Sequence, residues 1–358
     1  MNALQNVINT KSLMTLPSLQ NILNQIDISQ DLQGFIFKQR QEIANILSGD
    51  DSRLLVIIGP CSIHDPNAAI EYATRLAKMQ KRYNGTLKLV MRTYFEKPRT
   101  RGGWKGFIVD PELNGEFNLL SGIARSRQLM HAILELGVPT ANEFLDPNLA
   151  LYIADLVCWG AIGARTTESQ PHRQLASGLH CPIGFKNGTD GNIDISIDAI
   201  HAAKDCHLML GQTANNQTVA IQTQGNDNCH VILRGGVTPN YSSQHVKNTS
   251  YQLICNDLSP RIVVDCSHGN SGKIAKNQLS VVENIARQIS LAEENIAGVM
   301  CESFLLGGNQ KINHGVLNYG QSITDECLSW EDTLVFLERL NQAMLEQVDS
   351  KFAQTERA

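Results

Sequence analysis

From residue 53 onward the chain repeats one pattern: a short aliphatic run, then a longer segment whose apolar positions recur every three or four residues. The runs are RLLVIIG (53–59), LKLVMRTYF (87–95), PTANEFL (139–145), CWGAIGAR (158–165), PIGFKNG (182–188), CHVILRGG (229–236), RIVVDCSHG (261–269) and AGVMCESFL (297–305). Unbroken apolar runs of this length read as strands buried on both faces, and their alternation with amphipathic helices reads as a parallel sheet. The helical period is plain in PNAAIEYATRLAKMQ, ARSRQLMHAILELG, NLALYIADLV, IDAIHAAKDC, SVVENIARQISLAEEN and EDTLVFLERLNQAMLEQV. Asp65-Pro66 and Asp146-Pro147 each set an N-cap before a proline at the first helical position, and Ser329 with Asp332 resembles a capping box. Eight strands is the number that closes a (β/α)8 barrel, so an α/β TIM barrel is the expected fold, ahead of a doubly wound open sheet. Two segments fall outside the repeat. Residues 1–50 form an N-terminal extension, and LMLGQTANNQTVAIQTQGN (208–226) reads as a β-hairpin inserted into a barrel spanning 51–358.

Composition narrows the class. With 42% hydrophobic and 18% charged residues, the chain reads as a soluble globular protein. A formal net charge of −5 argues against a nucleic-acid partner, so any cluster of Arg and Lys is a local device. No apolar run approaches the roughly 20 residues of a membrane span, and the N-terminus lacks the basic start and apolar stretch of a signal peptide. Nine cysteines without a C-x-x-C pair point to a reduced, cytoplasmic chain.

Barrel enzymes carry their chemistry at the C-terminal ends of the strands. Those ends read, in order, Cys61, Arg92, Glu143, Arg165, Lys186, Arg234, His268 and Glu302. Loop mouths without a function would be mostly Gly, Asn and Ser. Here every one of them can ligate, ionise or hold an anion. Arg92, Arg165, Lys186 and Arg234, with Lys97, Arg99 and Lys105 of FEKPRTRGGWKG, gather positive charge on an acidic chain. Such a ring calls for a ligand with several negative charges on phosphate or carboxylate groups. The second set is Cys61, His268, Glu302 and Asp325, the last in YGQSITDECLSW. A thiolate, an imidazole and two carboxylates suit Mn2+, Fe2+, Co2+ or Zn2+ rather than magnesium or calcium. Other motifs are decoys: HGNSGK lacks the Walker A spacing, and GAIGAR is too short for a dinucleotide fingerprint.

At this point the residues resemble a known family. GPCSIHDP, YFEKPRT, GWKG, GAIGARTTESQ, PIGFKNGTDG, HVILRGG, DCSHGNS and SITD, in this order, are similar to 3-deoxy-D-arabino-heptulosonate-7-phosphate (DAHP) synthase of the feedback-regulated bacterial type. The resemblance implies a metal-dependent condensation of phosphoenolpyruvate with erythrose 4-phosphate that opens the shikimate route to the aromatic amino acids. It assigns the metal to Cys61, His268, Glu302 and Asp325. It assigns phosphoenolpyruvate to Arg92, Lys105, Glu143, Arg165, Lys186 and Arg234. Lys97, Arg99 and Thr100 match the erythrose phosphate site, with Lys97 and His268 as candidates for proton transfer.

The resemblance also implies that the 1–50 arm and the hairpin serve assembly into a homodimer or homotetramer and hold an aromatic amino-acid inhibitor. The pattern looks most like the tyrosine-sensitive branch, with Asn6, His180, Met209 and Gly211 at the pocket and Gly211 leaving space for a phenolic hydroxyl. His180 departs from the usual serine, and Arg101 and Gly102 depart from the common TTVGWKG. Two other readings stand beside this one: a 3-deoxy-D-manno-octulosonate-8-phosphate synthase-like enzyme using arabinose 5-phosphate, and a non-catalytic amino-acid-sensing barrel.

Overall fold

The computed structural model describes residue 9, residues 15–312 and residues 316–355, the side chains of 349–355 excepted; Asn6 lies outside the described residues. Each of the eight aliphatic runs forms a parallel strand: β1 (Leu54–Gly59), β2 (Leu87–Arg92), β3 (Thr140–Glu143), β4 (Trp159–Ile162) and β5 (Ile183–Lys186). After an antiparallel ribbon, β6 (Leu208–Gln212) and β7 (Thr218–Gln222), come β8 (Cys229–Leu233), β9 (Ile262–Asp265) and β10 (Ile296–Glu302). Because β1 pairs with both β2 and β10, the sheet closes, and the open-sheet alternative is excluded. A short pair, β11 (Leu306–Asn309) and β12 (Gln321–Ser322), follows on the last loop.

Helices α3 (Pro66–Tyr83), α4 (Leu119–Glu135), α5 (Pro147–Ala150), α6 (Gln170–Gly178), α7 (Asp194–Lys204), α8 (Ser243–Cys255), α9 (His268–Ser271), α10 (Asn277–Ser290) and α11 (Trp330–Thr355) make the connections. The expected caps are present. Asp65 accepts the N–H groups of Asn67 and Ala68, Asp146 accepts that of Asn148, and Ser329 and Asp332 bond reciprocally. NLALYIADLV departs from the single helix its periodicity predicts, breaking into α5 and a 3₁₀ turn at Ala154–Leu156. The reason is competition for its carbonyls. Arg127 takes the carbonyl of Tyr152 at 2.6 Å, and Arg40 takes those of Val157, Ala154 and Asp155 at 2.8–3.2 Å.

Within residues 15–50, two helices pack against different parts of the molecule. Helix α1 (Leu19–Leu23) touches the ribbon tip, where the N–H of Gln20 donates to the Ala214 carbonyl at 2.9 Å. Helix α2 (Gln30–Ser48) instead packs at the N-terminal end of the barrel strands, burying Leu32, Ile36, Ile43, Ile46 and Leu47. There Lys88 of β2 donates to Gln39 and, at 2.6 Å, to Glu42.

Candidate active site

Strand register sets how high each functional side chain stands at the C-terminal rim. Gly59 pairs with Glu302, Arg92 with Ala141, Glu143 with Ala161 and Lys186 with Ile232. Arg92, Glu143, Lys186 and Glu302 are therefore the last residues of their strands, and Cys61, Arg165, Arg234 and His268 stand in the turns just beyond. These turns interlock through backbone. The N–H of Gly269 donates to the Arg234 carbonyl at 3.0 Å, and a Cβ on Gly235 would sit 2.5 Å from the Asn270 nitrogen. With φ at +73°, position 235 needs glycine twice over, for conformation and for close approach.

The rim encloses a cleft of about 260 Å³. Its wall holds six of the expected cations, Arg92, Lys97, Arg99, Arg165, Lys186 and Arg234, together with Thr100. A seventh, Lys273, ends the HGNSGK segment that reads as a failed phosphate loop, and its ammonium lies 3.9 Å from Asp325. Only two carboxylates, Glu143 and Asp325, share the wall with these seven. The cations form two tiers. Arg92 and Lys186 are buried at the strand ends, whereas Arg234 is half-buried and Arg165 exposed. Lys186 bonds Glu143 at 2.5 Å. Burial pushes the Glu143 carboxyl up, but Lys186 and Lys97 outweigh it and hold its pKa at about 2. Glu143 is thus a fixed anion among cations.

Three of the second set, Cys61, Glu302 and Asp325, converge at this cleft, and His268 stands beside them. One ligand atom each from Cys61, Glu302 and Asp325 lies within 4.8 Å of the others, with Cys61 and Glu302 buried. His268 turns Nε2 to within 3.8 Å of Glu302 Oε1, while its Nδ1 lies 2.8 Å from Asp265 Oδ2 and 2.7 Å from Ser267 Oγ. A carboxylate behind one ring nitrogen that leaves the other facing the site is how metal-binding histidines are oriented. His268 adopts φ of +54°, a left-handed backbone that costs energy away from glycine. Lys97 donates to the Cys61 carbonyl at 3.0 Å and to its sulfur at 3.1 Å. Burial raises the Cys61 thiol pKa, and Glu302 adds to this against the opposing Lys97 charge. Burial alone would lower the Lys97 pKa, but Cys61, Glu302 and Glu143 raise it, so the ammonium stays charged. The donor set fits a first-row divalent ion.

Lys105 is set apart from the other expected cations. Lys105 is exposed and absent from the cleft wall; its carbonyl, not its ammonium, serves the site by accepting the Lys97 N–H at 2.9 Å. The loop folds back over Gly102 and Gly103, where Arg99 donates to the Trp104 carbonyl at 2.8 Å. Across the ribbon from Gly211 stands the terminal methyl of Ile221, 2.2 Å from where a Cβ would lie. Met209 is half-buried and His180 exposed. Asp265, Tyr94 and Glu96 stand beside these groups; YFEKPRT and DCSHGNS contain them, but the resemblance assigns them no role. Asp265 has a signal in retrospect, three residues before the candidate ligand His268. Glu96 accepts the N–H groups of Leu145 and Asp146 at 3.2 and 3.1 Å and ties two rim loops together, and burial lifts its carboxyl to about 8.

A model of the DAHP synthetase I family matches residues 25–338. The chain belongs to that family. It is 54% identical over 314 residues to the Trp-sensitive phospho-2-dehydro-3-deoxyheptonate aldolase of Escherichia coli O157:H7, covering 87% of this chain and 89% of that one. The Trp-sensitive protein of Salmonella typhimurium is 52% identical over 326 residues, covering 91% and 92%. The solved structure of phospho-2-dehydro-3-deoxyheptonate aldolase from Francisella tularensis SCHU S4 superposes with a TM-score of 0.93 at 45% identity, covering 95% of this chain and 99% of that one. Membership accounts for the barrel and its crowded rim. It gives no support to the tyrosine-sensitive branch, since these curated relatives are named for tryptophan. No described helix is long and apolar enough to cross a membrane.

Proposed function

We infer that this member of the DAHP synthetase I family is a 3-deoxy-7-phosphoheptulonate synthase. It joins phosphoenolpyruvate, erythrose 4-phosphate and water to give DAHP and phosphate. The observation that carries this reading is a cleft walled by seven cations beside the convergent Cys61, Glu302 and Asp325. Two phosphorylated anions repel each other unless held by fixed positive charge, and holding them in contact supplies much of the rate. The planar carboxylate of phosphoenolpyruvate meets the buried pair Arg92 and Lys186, and its phosphate meets the outer pair Arg165 and Arg234. Arg99 and Thr100 take the erythrose phosphate.

A divalent ion on Cys61, His268, Glu302 and Asp325 supplies Lewis acidity toward the aldehyde oxygen when bound. C3 of phosphoenolpyruvate attacks the aldehyde carbon, and positive charge develops at C2. The Glu143 carboxylate, fixed ionised at the rim, opposes that charge. Lys97 gives a proton to the new alkoxide, because its ammonium stays charged while the ring nitrogens of His268 are committed to Asp265 and to the Glu302 side. Water adds at C2 and returns a proton to Lys97, and phosphate leaves by C–O cleavage, taking the C2 hydroxyl proton, with Arg165 and Arg234 stabilising its charge.

The test is phosphate release in the presence of Mn2+, with erythrose 4-phosphate and arabinose 5-phosphate assayed side by side. Turnover with the four-carbon aldose is expected. Preference for arabinose 5-phosphate would favour the octulosonate reading, and no release with either would favour a sensing barrel. An aromatic amino acid acts as feedback inhibitor where α1 meets the β6–β7 ribbon, in a homodimer or homotetramer. The names of the relatives put tryptophan ahead of tyrosine. Unchanged rates with millimolar Trp, Tyr and Phe would remove this regulatory assignment.

A further inference from the structure

Tyr94 lines the cleft but takes no part in the chemistry above. It is 2% exposed, and among the described residues its hydroxyl finds the Met300 sulfur at 4.0 Å. So weak a contact does not account for a large buried ring at the centre of an anion site. The ring face does better. The Arg92 guanidinium carbon lies 3.9 Å from the ring centroid, and the Lys186 ammonium lies 5.8 Å from the same centroid. Arg92 leaves β2 and Lys186 leaves β5, with two strands between them in the barrel wall, so the ring links cations from separate parts of the rim. Both are almost wholly buried, which strengthens attraction to the negative face of an aromatic ring and repulsion between the two charges.

Each cation also has one carboxylate partner, Glu302 for Arg92 at 3.2 Å and Glu143 for Lys186 at 2.5 Å. Those partners sit on β10 and β3 and draw the two cations toward different strands. The ring touches both cations, and the Asp265 carboxylate also acts on both through its field.

We propose that the Tyr94 ring is a positioning residue that holds Arg92 and Lys186 against its π system and sets the gap between them for the carboxylate of phosphoenolpyruvate. This deepens the function proposed above and rests on it. The hydroxyl is incidental, and the electron-rich face is the working part.

A graded series separates the ring's charge distribution from its shape. Tyr94→Phe serves as reference, followed by mono-, di- and trifluorinated phenylalanine at position 94, introduced by codon suppression. Fluorine withdraws π density with little change in volume, so a packing role would leave the series flat. The KM and the calorimetric Kd for phosphoenolpyruvate are expected to rise with each fluorine, by about tenfold across the series, as a buried cation–π contact implies. The KM for erythrose 4-phosphate and the thermal midpoint are expected to stay level. Tyr94→Leu, which has no π face, should weaken phosphoenolpyruvate at least as much as the trifluorinated variant. A flat phosphoenolpyruvate Kd across the series at constant midpoint would overturn the proposal. If the parent protein binds phosphoenolpyruvate but turns over neither aldose, the functional reading fails, and the Kd series still reports on the ring.

Discussion

The two ends of this barrel both hold cations in buried or half-buried places, and they treat them in opposite ways. At the N-terminal end every member of the trio Arg40, Arg53 and Lys88 has partners. Arg53 bonds Asp51 and Glu42 at 2.5 and 3.1 Å, Lys88 bonds Glu42 and Gln39, and Arg40 is consumed by carbonyls. At the C-terminal rim seven cations share a wall with two carboxylates. Arg165 has no ion-pair partner among the described residues. Charges matched within the chain give one arrangement and hold α2 in place. Charges left in excess repel one another until an anion arrives. The same chemistry therefore reads as structure at one end and as binding at the other, and substitutions should separate the two.

The largest effect is expected at the rim. Lys97→Met removes the ammonium beside Cys61 and should lower kcat by about a thousandfold, the scale of losing a general acid. Its thermal midpoint should stay near the parent's. A large fall in the midpoint with kcat intact would assign Lys97 to the structural class and erase the contrast between the ends.

The counterpart at the base is Lys88→Met. It leaves Glu42 without its nearest cation in a place where Lys88 is 6% and Glu42 22% exposed. Breaking a largely buried pair from one side costs about 3 kcal/mol. Urea unfolding should show that loss, with the phosphoenolpyruvate KM of the folded enzyme unmoved. A shifted KM at unchanged stability would mean that the base communicates with the rim.

Arg165→Ala sharpens the contrast further, because it removes a cation that has no protein partner to abandon. A charge-assisted contact to phosphate is worth about 2 kcal/mol, so the KM for phosphoenolpyruvate should rise roughly 30-fold. Stability in the absence of substrate should hold or rise slightly as like-charge repulsion is relieved. A destabilised variant would show that Arg165 is structural after all.

The rim was the more legible end. Strands buried on both faces announce themselves as aliphatic runs, and the residue ending each run stands at the mouth by geometry alone. That logic found Arg92, Glu143, Lys186 and Glu302 directly. The phosphoenolpyruvate assignment of Lys105 comes from the family resemblance and not from a strand end, and its side chain is exposed on a loop whose path strand ends do not set. The logic of strand ends passed over Lys273 and Tyr94, which reach the cleft only through tertiary packing. The base was opaque for a related reason. Gln39 and Glu42 look like the solvated face of a helix until the barrel is laid against them. Nothing in the sequence of residues 1–50 shows that α1 meets the ribbon tip and α2 the barrel floor.

Between the two ends lies a third case, a titratable group that is neither paired nor poised for a ligand. His230 on β8 is 5% exposed, and its Nε2 accepts the indole N–H of Trp159 at 3.3 Å. Burial depresses its pKa from 6.5 to about 4, so the folded protein keeps the ring neutral where the unfolded chain would protonate it. For a base with a lowered folded pKa, the unfolded state binds more protons in the window between the two values. Stability is then complete above pH 6.5 and falls as pH drops toward 4. Between pH 7 and pH 5.5 this one group should cost about 1 kcal/mol. His230→Gln keeps an acceptor for Trp159 and removes the titration, so its stability curve over that range should be flatter than the parent's by about that amount. Parallel curves would mean that the imidazole protonates in the folded barrel, and the middle of the molecule would then be a further place where charge is tolerated rather than excluded.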